Sequence, residues 1–398
     1  MTNGYSLALN AGSSSLKFSV YSQAEDEGWR LESRGEIGGI ASSPRIFARN
    51  GGGQTLVDRD LDGEVSDAHD AIHVLAAWLK AKYEGSHVAG VGHRVVHGGT
   101  RFSGPVLITD KVISEIQSLA PLAPLHQPNN LAAIIAAQQR LRDVPQVACF
   151  DTSFHRGQPA VAQVIPLPRE IRSRGVQRYG FHGLSYEYVA SALPQVAPEI
   201  AKGRVIVAHL GSGASMCALR DGKSIDCTLG FTALDWLCMG TRPGSLDPGV
   251  ILYLFQTLGL SAREVEAMLY KESGLLGLSE ISSDMRELLR SDAPAARLAV
   301  EYFVYRAAKE LGALAATLGG VDGLVFTAGI GENSAEIRKR ICDASAWLGI
   351  ELDEEANGRH RTKISTKQSK ISVRIIPTNE ELVITRHTGS LLGLSVHV

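Results

Sequence analysis

A strand, a glycine-serine turn and a second strand occur twice in this sequence, about half a chain length apart. The first copy, LNAGSSSLKFSV, begins at Leu9, and the second, HLGSGASMCAL, begins at His209. A single turn of this kind is usually a plain hairpin between two strands. Two copies at equivalent places indicate a chain built from two related lobes in which both turns serve a common task.

The rest of the pattern alternates between short β-branched runs and long helical periodicities, which predicts an α/β fold with helix-covered sheets. We predict buried strands at 204–210 and 323–329, and helices at 68–83, 129–141 and 296–318. The length of 398 residues allows two or three domains of common size, so two lobes are expected.

The composition narrows the class of partner. Forty Lys and Arg residues face 42 Asp and Glu residues, and this balance lacks the basic excess of a nucleic-acid-binding protein. The longest apolar run, 131–137, is too short to span a membrane, and the N-terminus has no leader pattern. The five cysteines show no Cys-x-x-Cys spacing, so we expect reduced, buried thiols. We therefore expect a cytoplasmic enzyme with a small-molecule substrate and with neither nucleic-acid nor membrane partners.

Glycine-serine turns are suited to phosphate because small residues let backbone N–H groups converge on an anion while hydroxyl groups donate further hydrogen bonds. Lys17 would add a positive charge beside the first turn. A third glycine-rich segment, FTAGIGENSAEIR at 326–338, predicts a strand, a bare loop and a helix. Asn333 and Glu336 have the spacing of a capping box at the start of that helix, which could face a nucleotide.

The segment GHRVVHGGTRF places His93 and His97 four residues apart. A zinc site of the zincin type needs a helix and a glutamate after the first histidine, whereas Arg94 follows here in a strand-like context. Arg94 itself can grip a carboxylate with two parallel hydrogen bonds. The alternative for Arg94 is an ordinary ion pair.

Nine segments together resemble the acetate kinase family, in order and over nearly the whole chain. They are NAGSSSLKF, GHRVVHGG, PLAPLHQPNNL, FDTSFH, RYGFHGLSYEYV, HLGSGAS, MGTRPGSLDPG, AGIGENSAEIR and TNEELVI. The resemblance implies two duplicated ribonuclease-H-like lobes of the actin, Hsp70 and sugar kinase type, with a nucleotide cleft between them. It implies an N-terminal lobe at 1–150, completed by 385–398, and a nucleotide-binding lobe at 151–384.

The resemblance also implies roles for individual residues. The functional residues outside the nucleotide segments are catalytic Asp151, His182 and Arg242, carboxylate-binding Arg94, and Asn10 and Glu380 near magnesium. The nucleotide-binding residues are Lys17, His209, Leu210, Gly211, Ser212, Gly213, Asp284, Met285, Arg286, Gly329, Ile330, Gly331, Glu332 and Asn333. The alternatives are a plain helix-start carboxylate at Glu380, confusion of Glu380 with Glu381, and a structural loop histidine at His182.

The activity implied is reversible phosphoryl transfer from ATP to acetate, giving acetyl phosphate and ADP by direct in-line transfer. Mg²⁺ is the implied cofactor, Mn²⁺ can substitute for it, and a homodimer is the implied assembly. Arg, His and Mg²⁺ suit this reaction because phosphoryl transfer mainly needs charge compensation and alignment. Since a carboxylate substrate with a pKa of about 4 is already ionised at neutral pH, we interpret Asp151 as organising magnesium and arginine rather than removing a proton.

Two alternative functions stay open. A propionate or butyrate kinase would share the phosphate-handling residues and differ in the apolar pocket. An actin- or Hsp70-like ATPase would need the hairpins but not the arginines Arg94 and Arg242. The sequence departs from the usual family pattern at Trp236 and Cys238, close to Arg242, so the shape of the acyl pocket is the least secure inference.

Overall fold

The structure is a computed structural model that describes residues 4–24, 28–61, 63 and 65–394. The chain divides into two compact units. Unit 1 comprises Met1–Ser153 and Asn379–Val398, and unit 2 comprises Phe154–Thr378. Residues 1–3 of the expected first lobe and 395–398 of its expected completion lie outside the described residues.

The strands, in chain order, are β1 (Gly4–Ala11), β2 (Ser15–Gln23), β3 (Trp29–Gly38), β4 (Arg45–Asn50), β5 (Thr55–Asp60), β6 (His87–Val95), β7 (Val106–Leu107), β8 (Gln146–Phe150), β9 (Arg204–Leu210), β10 (Ala214–Arg220), β11 (Lys223–Cys227), β12 (Gly323–Thr327) and β13 (Ser372–Ile375).

The α-helices are α1 (Ala68–Lys82), α2 (Asp110–Ser118), α3 (Gln127–Arg140), α4 (Ala160–Gln163), α5 (Arg169–Arg172), α6 (Gly183–Val196), α7 (Pro248–Gln256), α8 (Ala262–Ala267), α9 (Gly274–Ser279), α10 (Met285–Arg290), α11 (Pro294–Leu318), α12 (Ala328–Asn333), α13 (Ala335–Ala344), α14 (Glu354–Gly358) and α15 (Glu380–Leu392).

The two sheets share one strand order. In unit 1 the order is β5-β4-β3-β2-β1-β6-β8-β7, and in unit 2 it is β11-β10-β9-β12-β13. The stretch β3-β2-β1-β6-β8 matches the whole second sheet in direction as well as order. In both, three antiparallel strands are followed by two that run parallel to the central strand. The glycine-serine hairpin that joins the first two strands of each set therefore occupies the same topological position.

The predicted elements follow from their hydrophobic patterns. Helices α1, α3 and α11 begin and end within two residues of the predicted bounds, and β9 has the predicted bounds. Strand β9 is apolar along most of its length because both of its faces are covered, as its buried residues show. The cysteines are free and buried. In the described part of the chain, no helix combines the length and the apolar character that a membrane crossing requires.

The segment 326–338 differs from its prediction. Helix α12 begins immediately after β12, so the expected bare loop is absent from this described segment. The carboxylate of Glu332 accepts a hydrogen bond from the backbone N–H of Ala328 at 2.8 Å, which closes the chain into a helical turn. The N-cap of α13 is Ser334 rather than Asn333, and its hydroxyl group accepts from the N–H of Ile337.

Helix α15 lies directly against strand β6 in unit 1. Gly90 and Gly92 leave room for it, because a Cβ at Gly92 would overlap the side chains of Thr388 and Ile384. Glu380 is the first residue of this helix. The close approach therefore sets where the Glu380 carboxylate lies with respect to the end of β6.

We expect Gly92→Ala to lower the free energy of unfolding by about 1–3 kcal/mol, because an added methyl group overpacks the contact between β6 and α15. Gly104→Ala is the matched control, since a Cβ at Gly104 meets no atom within 4 Å. Urea unfolding of both variants measures the difference. Equal unfolding midpoints for the two variants would show that the contact tolerates a side chain.

Candidate active site

Arg94, near the end of β6, is the centre of a polar cluster in unit 1. Its Nε donates to Asp151 Oδ1 at 3.0 Å, and its Nη2 donates to Asp151 Oδ2 at 2.6 Å. Its Nη1 donates to Asn10 Oδ1 at 3.3 Å, and Glu380 Oε2 lies 3.7 Å from its Nε. Four residues from three strand ends and one helix start, far apart in the sequence, therefore meet at one guanidinium.

Burial and neighbouring charge oppose each other within this cluster. Burial would lower the pKa of Arg94, but the carboxylates of Asp151 and Glu380 outweigh it and raise that pKa. Burial raises the pKa of Glu380 to about 7, Arg94 opposes this rise, and the charges of Asp151 and Glu381 add to it. The cluster holds more carboxylate charge than its guanidinium balances, which favours binding of a further cation.

The oxygen atoms of the cluster fit a magnesium ion. Mg²⁺ prefers carboxylate and carbonyl oxygen ligands. Asn10, Asp151 and Glu380 offer such oxygens around one charged centre. Burial raises the pKa of Glu380 although Arg94 and Lys17 partly compensate its charge, and a divalent ion would complete that compensation.

Lys17 lies beside this cluster on the hairpin. It pairs with Asn10 across β1 and β2, and its side chain is exposed. Glu380 is partly compensated by the charge of Lys17. Its position permits the predicted contact with a phosphate group.

His93 and His97 lie in the core and have protein partners. His93 Nε2 lies 2.7 Å from Gln146 Oε1, and His97 Nδ1 accepts from the N–H of Gly99 at 2.8 Å. Burial lowers the pKa of both rings to about 4. These contacts give both histidines a structural role, in keeping with the departure of this segment from the zincin pattern.

His182 and Arg242 form a second cluster, in unit 2, at the hairpin that joins β9 and β10. A Cβ placed on Gly213 would lie 3.0 Å from Arg242 Nη2 and 3.3 Å from His182 Nε2. The guanidinium of Arg242 and the imidazole of His182 therefore converge on Gly213, which has no side chain to obstruct them. The His182 ring stacks on His209, with ring centroids 4.2 Å apart.

Arg242 is held by backbone rather than by a carboxylate. Its Nη1 donates to the carbonyl oxygen of Ala233 at 2.7 Å, and among the described residues no carboxylate forms an ion pair with it. Burial lowers the pKa of this guanidinium. Gly274, at φ +64°, passes under the Arg242 backbone, where a Cβ would lie 2.8 Å from Arg242 N. A half-buried positive charge without a carboxylate partner is suited to bind an anion.

A cavity of about 640 Å³ in unit 2 collects most of the predicted nucleotide residues. Predicted residues that line it are Gly211, Ser212, Asp284, Met285, Arg286, Gly329, Ile330 and Asn333. Asp284 caps α10 and pairs with Arg286, whose hydrogen bond lowers the pKa of the Asp284 carboxyl to about 2. Asn333 donates to the carbonyl oxygen of Gly329 at 2.9 Å, which fixes the α12 wall of the cavity.

The other predicted nucleotide residues of unit 2 lie outside the cavity lining. These are His209, Leu210, Gly213, Gly331 and Glu332. Glu332 accepts hydrogen bonds from the N–H groups of Ala328 and Thr378, so its carboxylate shapes the turn after β12. His209 supports the His182 ring by stacking.

Sequence reasoning missed several residues at these sites. Ser283, Leu289, Arg290 and Ser334 also line the cavity. Leu289 and Arg290 lie one helical turn beyond Met285 and Arg286, so helical spacing along α10 was the signal that could have found them. Tyr186 and Ser215, which contact each other and His182, stand within the quoted motifs but received no role.

Trp236 faces a different cavity, of about 1050 Å³. The Arg178 guanidinium lies over its indole ring at 4.8 Å from the centroid, and Arg306 donates to its carbonyl oxygen. Trp236 has φ +69°, a left-handed conformation that few bulky residues adopt. Its neighbour Cys238 is buried. The indole of Trp236 therefore packs on the guanidinium of Arg178. The guanidinium of Arg242 has a different partner, the carbonyl oxygen of Ala233.

Comparison with known proteins identifies the family of this chain. The model of the acetokinase family matches residues 5–386. The chain belongs to the acetokinase family. A relative from Nitrobacter hamburgensis, named acetate kinase, is 55% identical over 388 residues, which cover 97% of this chain and 96% of the relative.

Solved structures of the family agree with the fold of this acetokinase. A propionate kinase from Francisella tularensis has a TM-score of 0.90 at 37% identity, with 97% of this chain and 99% of that chain covered. The acetate kinase of Porphyromonas gingivalis has a TM-score of 0.87 at 36% identity, with 98% of this chain and 100% of that chain covered. The predicted family, the α/β fold class and the enzyme class, an acetate kinase by family, are confirmed.

Proposed function

We propose that this acetokinase transfers the γ-phosphoryl group of ATP to acetate, reversibly and in line, and that the residues named above carry out the reaction. The observation that carries the proposal is Arg94, held at two points by Asp151 and flanked by Asn10 and Glu380. Arg94 suits a carboxylate acceptor through its Nη1 atom, while a divalent cation would balance the excess carboxylate charge around it, and the family supplies the kinase chemistry.

Arg94 binds the substrate carboxylate. The Nε and Nη2 atoms of Arg94 donate to Asp151. Nη1 is left with one long contact, to Asn10 at 3.3 Å. Acetate, with a pKa of about 4, arrives ionised at neutral pH, so its attack needs no general base. Asp151 therefore orients Arg94 and does not remove a proton.

Asn10, Asp151 and Glu380 would hold Mg²⁺ in unit 1, and Mn²⁺ has similar ligand preferences. The ion, when bound, screens the negative charge of the phosphate groups. Lys17, exposed on the hairpin, is placed to contact a phosphate oxygen. Arg242 and His182 stabilise the transferring phosphoryl group, because their Nη2 and Nε2 atoms converge on Gly213.

The nucleotide binds in the 640 Å³ cavity of unit 2. The cavity has a size suited to a drug-sized or nucleoside-sized ligand. The apolar atoms of Met285, Leu289 and Ile330 provide surface for a base, while backbone groups at Gly211 and Gly329 are unobstructed by side chains.

Acetate is a better candidate than propionate or butyrate. The relative with 55% identity is named acetate kinase, whereas the propionate kinase structure is 37% identical. Trp236 packs on Arg178 and lines the larger cavity. The family assignment gives no support to an actin- or Hsp70-like ATPase.

We also propose a cytoplasmic homodimer. We take units 1 and 2 as its two lobes, so that the bounds expected from the sequence (1–150 with 385–398, and 151–384) move by three and six residues and Asp151 and Glu380 belong to the first lobe. Helix α7 supports the dimer, because it concentrates exposed apolar side chains: Leu252, Tyr253 and nearby Leu258 are each more than half exposed. Light scattering should give a molar mass of twice 42.6 kDa. A mass of one chain at micromolar concentration would exclude a stable dimer.

The acyl preference tests the substrate. We expect kcat/KM to fall about 10-fold from acetate to propionate and again to butyrate, within the range that one methylene discriminates. Trapping the acyl phosphate with hydroxylamine, at limiting concentrations of each acid, measures this. Butyrate equal to or better than acetate would favour the butyrate kinase alternative, and ATP hydrolysis without hydroxamate would favour an ATPase.

Three variants separate the proposed roles of acetate binding, nucleotide binding and phosphoryl stabilisation. Arg94→Ala should raise the KM for acetate about 10- to 100-fold, the effect of losing a charged hydrogen bond of about 1.5–3 kcal/mol, with little change in the KM for ATP. Gly329→Leu should raise the KM for ATP instead, because a Cβ there meets no atom within 4 Å and the new side chain enters the cavity space. Arg242→Ala should lower kcat by about 10³ with little change in either KM.

Each variant has a matched control on an exposed site. Arg101→Ala removes an exposed arginine from unit 1, Gly358→Leu adds the same side chain at an open glycine in α14, and Arg263→Ala removes an exposed arginine from α8. Arg242→Lys should recover little activity, because an ammonium group lacks a planar fork. Equal effects of Arg94→Ala on both KM values would identify Arg94 as a structural ion-pair residue.

A further inference from the structure

A chain of hydroxyl groups reaches the Nδ1 atom of His182. Ser215 Oγ lies 2.8 Å from His182 Nδ1, and the same Oγ is hydrogen-bonded to the hydroxyl group of Tyr186. Tyr186 stands one helical turn after His182 in α6, and Ser215 is the second residue of β10. Both side chains are fully buried. The hairpin strand and the helix therefore share one hydrogen-bonded connection behind the imidazole.

The number of protons in this chain determines which ring nitrogen of His182 is protonated. Two contacts join the three groups, and the two hydroxyl groups bring two protons. If Tyr186 donates to Ser215 and Ser215 donates to His182 Nδ1, both protons are used. A proton on Nδ1 would be surplus, since it would leave one buried hydroxyl proton without an acceptor, at a cost of about 1–3 kcal/mol.

Tyr186 keeps its proton. Burial raises its pKa well above the usual value, and the neighbouring thiols Cys227 and Cys217 add to the rise. Among the described residues, its hydroxyl group is hydrogen-bonded to Ser215 Oγ. Because the described residues offer this hydroxyl proton no acceptor other than Ser215 Oγ, we assign Tyr186 as the donor to Ser215 and Ser215 as the donor to the ring.

We propose that Ser215 and Tyr186 are positioning residues that hold His182 as the neutral tautomer protonated on Nε2. This Nε2–H is the atom beside Gly213 that faces the same point as Arg242 Nη2. Its donation to a phosphoryl oxygen rests on the proposed function, whereas the tautomer itself does not. Stacking of the ring on His209, itself bound through Nδ1 to Ser185 Oγ at 2.8 Å, fixes the ring plane.

The tautomer can be measured without any assay of activity. ¹⁵N NMR of histidine-labelled full-length protein distinguishes a protonated ring nitrogen from an unprotonated one, and His182→Gln identifies the signal among the 12 histidines. We expect an unprotonated Nδ1 and a protonated Nε2 at neutral pH. A protonated Nδ1, alone or in an imidazolium ring, would overturn the proposal even if the protein proves to be an active acetate kinase.

Variants test whether the chain acts on the reaction. Ser215→Ala should allow both tautomers in the NMR spectrum and lower kcat about 10- to 100-fold, as for other partners that orient a functional imidazole, with little change in either KM. Ser215→Thr should restore most of the kcat because it keeps the hydroxyl group. Tyr186→Phe should give a smaller loss of kcat than Ser215→Ala, and Tyr188→Phe on the same helix is the control that should leave kcat unchanged.

Two outcomes of the variant series would contradict the proposal. One is an unchanged tautomer and kcat in Ser215→Ala, and the other is a Ser215→Thr variant as slow as Ser215→Ala. If Ser215→Ala does not fold, Tyr186→Phe and the spectrum of the unmodified protein still decide the question. If the tautomer is as expected but acyl phosphate is not formed, the proposed function fails while the positioning role stands.

Discussion

The ion pair between Arg94 and Asp151 is the interaction on which the unit 1 site depends. Asp151 is almost fully buried, and a buried carboxylate without a partner would be strongly destabilising. Strands β6 and β8 are adjacent and parallel, and the N–H of Asp151 donates to the carbonyl oxygen of Val95 at 3.0 Å, which brings the carboxylate to the end of β6. Because Asp151 occupies one edge of the guanidinium, the remaining Nη1 atom has a fixed direction. The strand order of the sheet thus determines the direction from which a further carboxylate can reach the Nη1 atom of Arg94.

The parts of this structure that the sequence predicted are those encoded by local pattern. Helix α11 and strand β9 have continuous apolar periodicities, and their bounds differ from the predicted ones by two residues or fewer. The glycine-serine hairpins were recognisable because small residues are required at such turns. Arg94 could be singled out because a charged residue inside a strand-like run needs a partner, although nothing local identified that partner as Asp151.

The parts that escaped prediction depend on contacts between residues far apart in the sequence. The helical turn after β12 forms because Glu332 accepts backbone hydrogen bonds from both Ala328 and Thr378, 50 positions apart in the chain, and periodicity carries no such information. The same holds for Ser215, whose contact with His182 joins a strand to a helix start 33 residues earlier. Trp236 was recognised as unusual, but its left-handed backbone and its contact with Arg178 could not be read from its identity.

The two hairpins show how one topology can present different chemical groups at two equivalent turns. In both, a glycine N–H closes the turn by donating to a carbonyl oxygen two or three residues later, from Gly12 in unit 1 and from Gly211 in unit 2. Their surroundings differ. The first turn has an exposed lysine and a carboxylate-rich cluster nearby, whereas the second has a half-buried guanidinium and, beside Gly213, an imidazole that Ser215 and His209 hold in place. Rigid donors aimed at one point stabilise charge that develops during a reaction more effectively than flexible ones, because no reorganisation is needed at that moment. The repeated fold therefore provides the same backbone turn twice, and the side chains packed against each copy determine which chemical groups that turn presents.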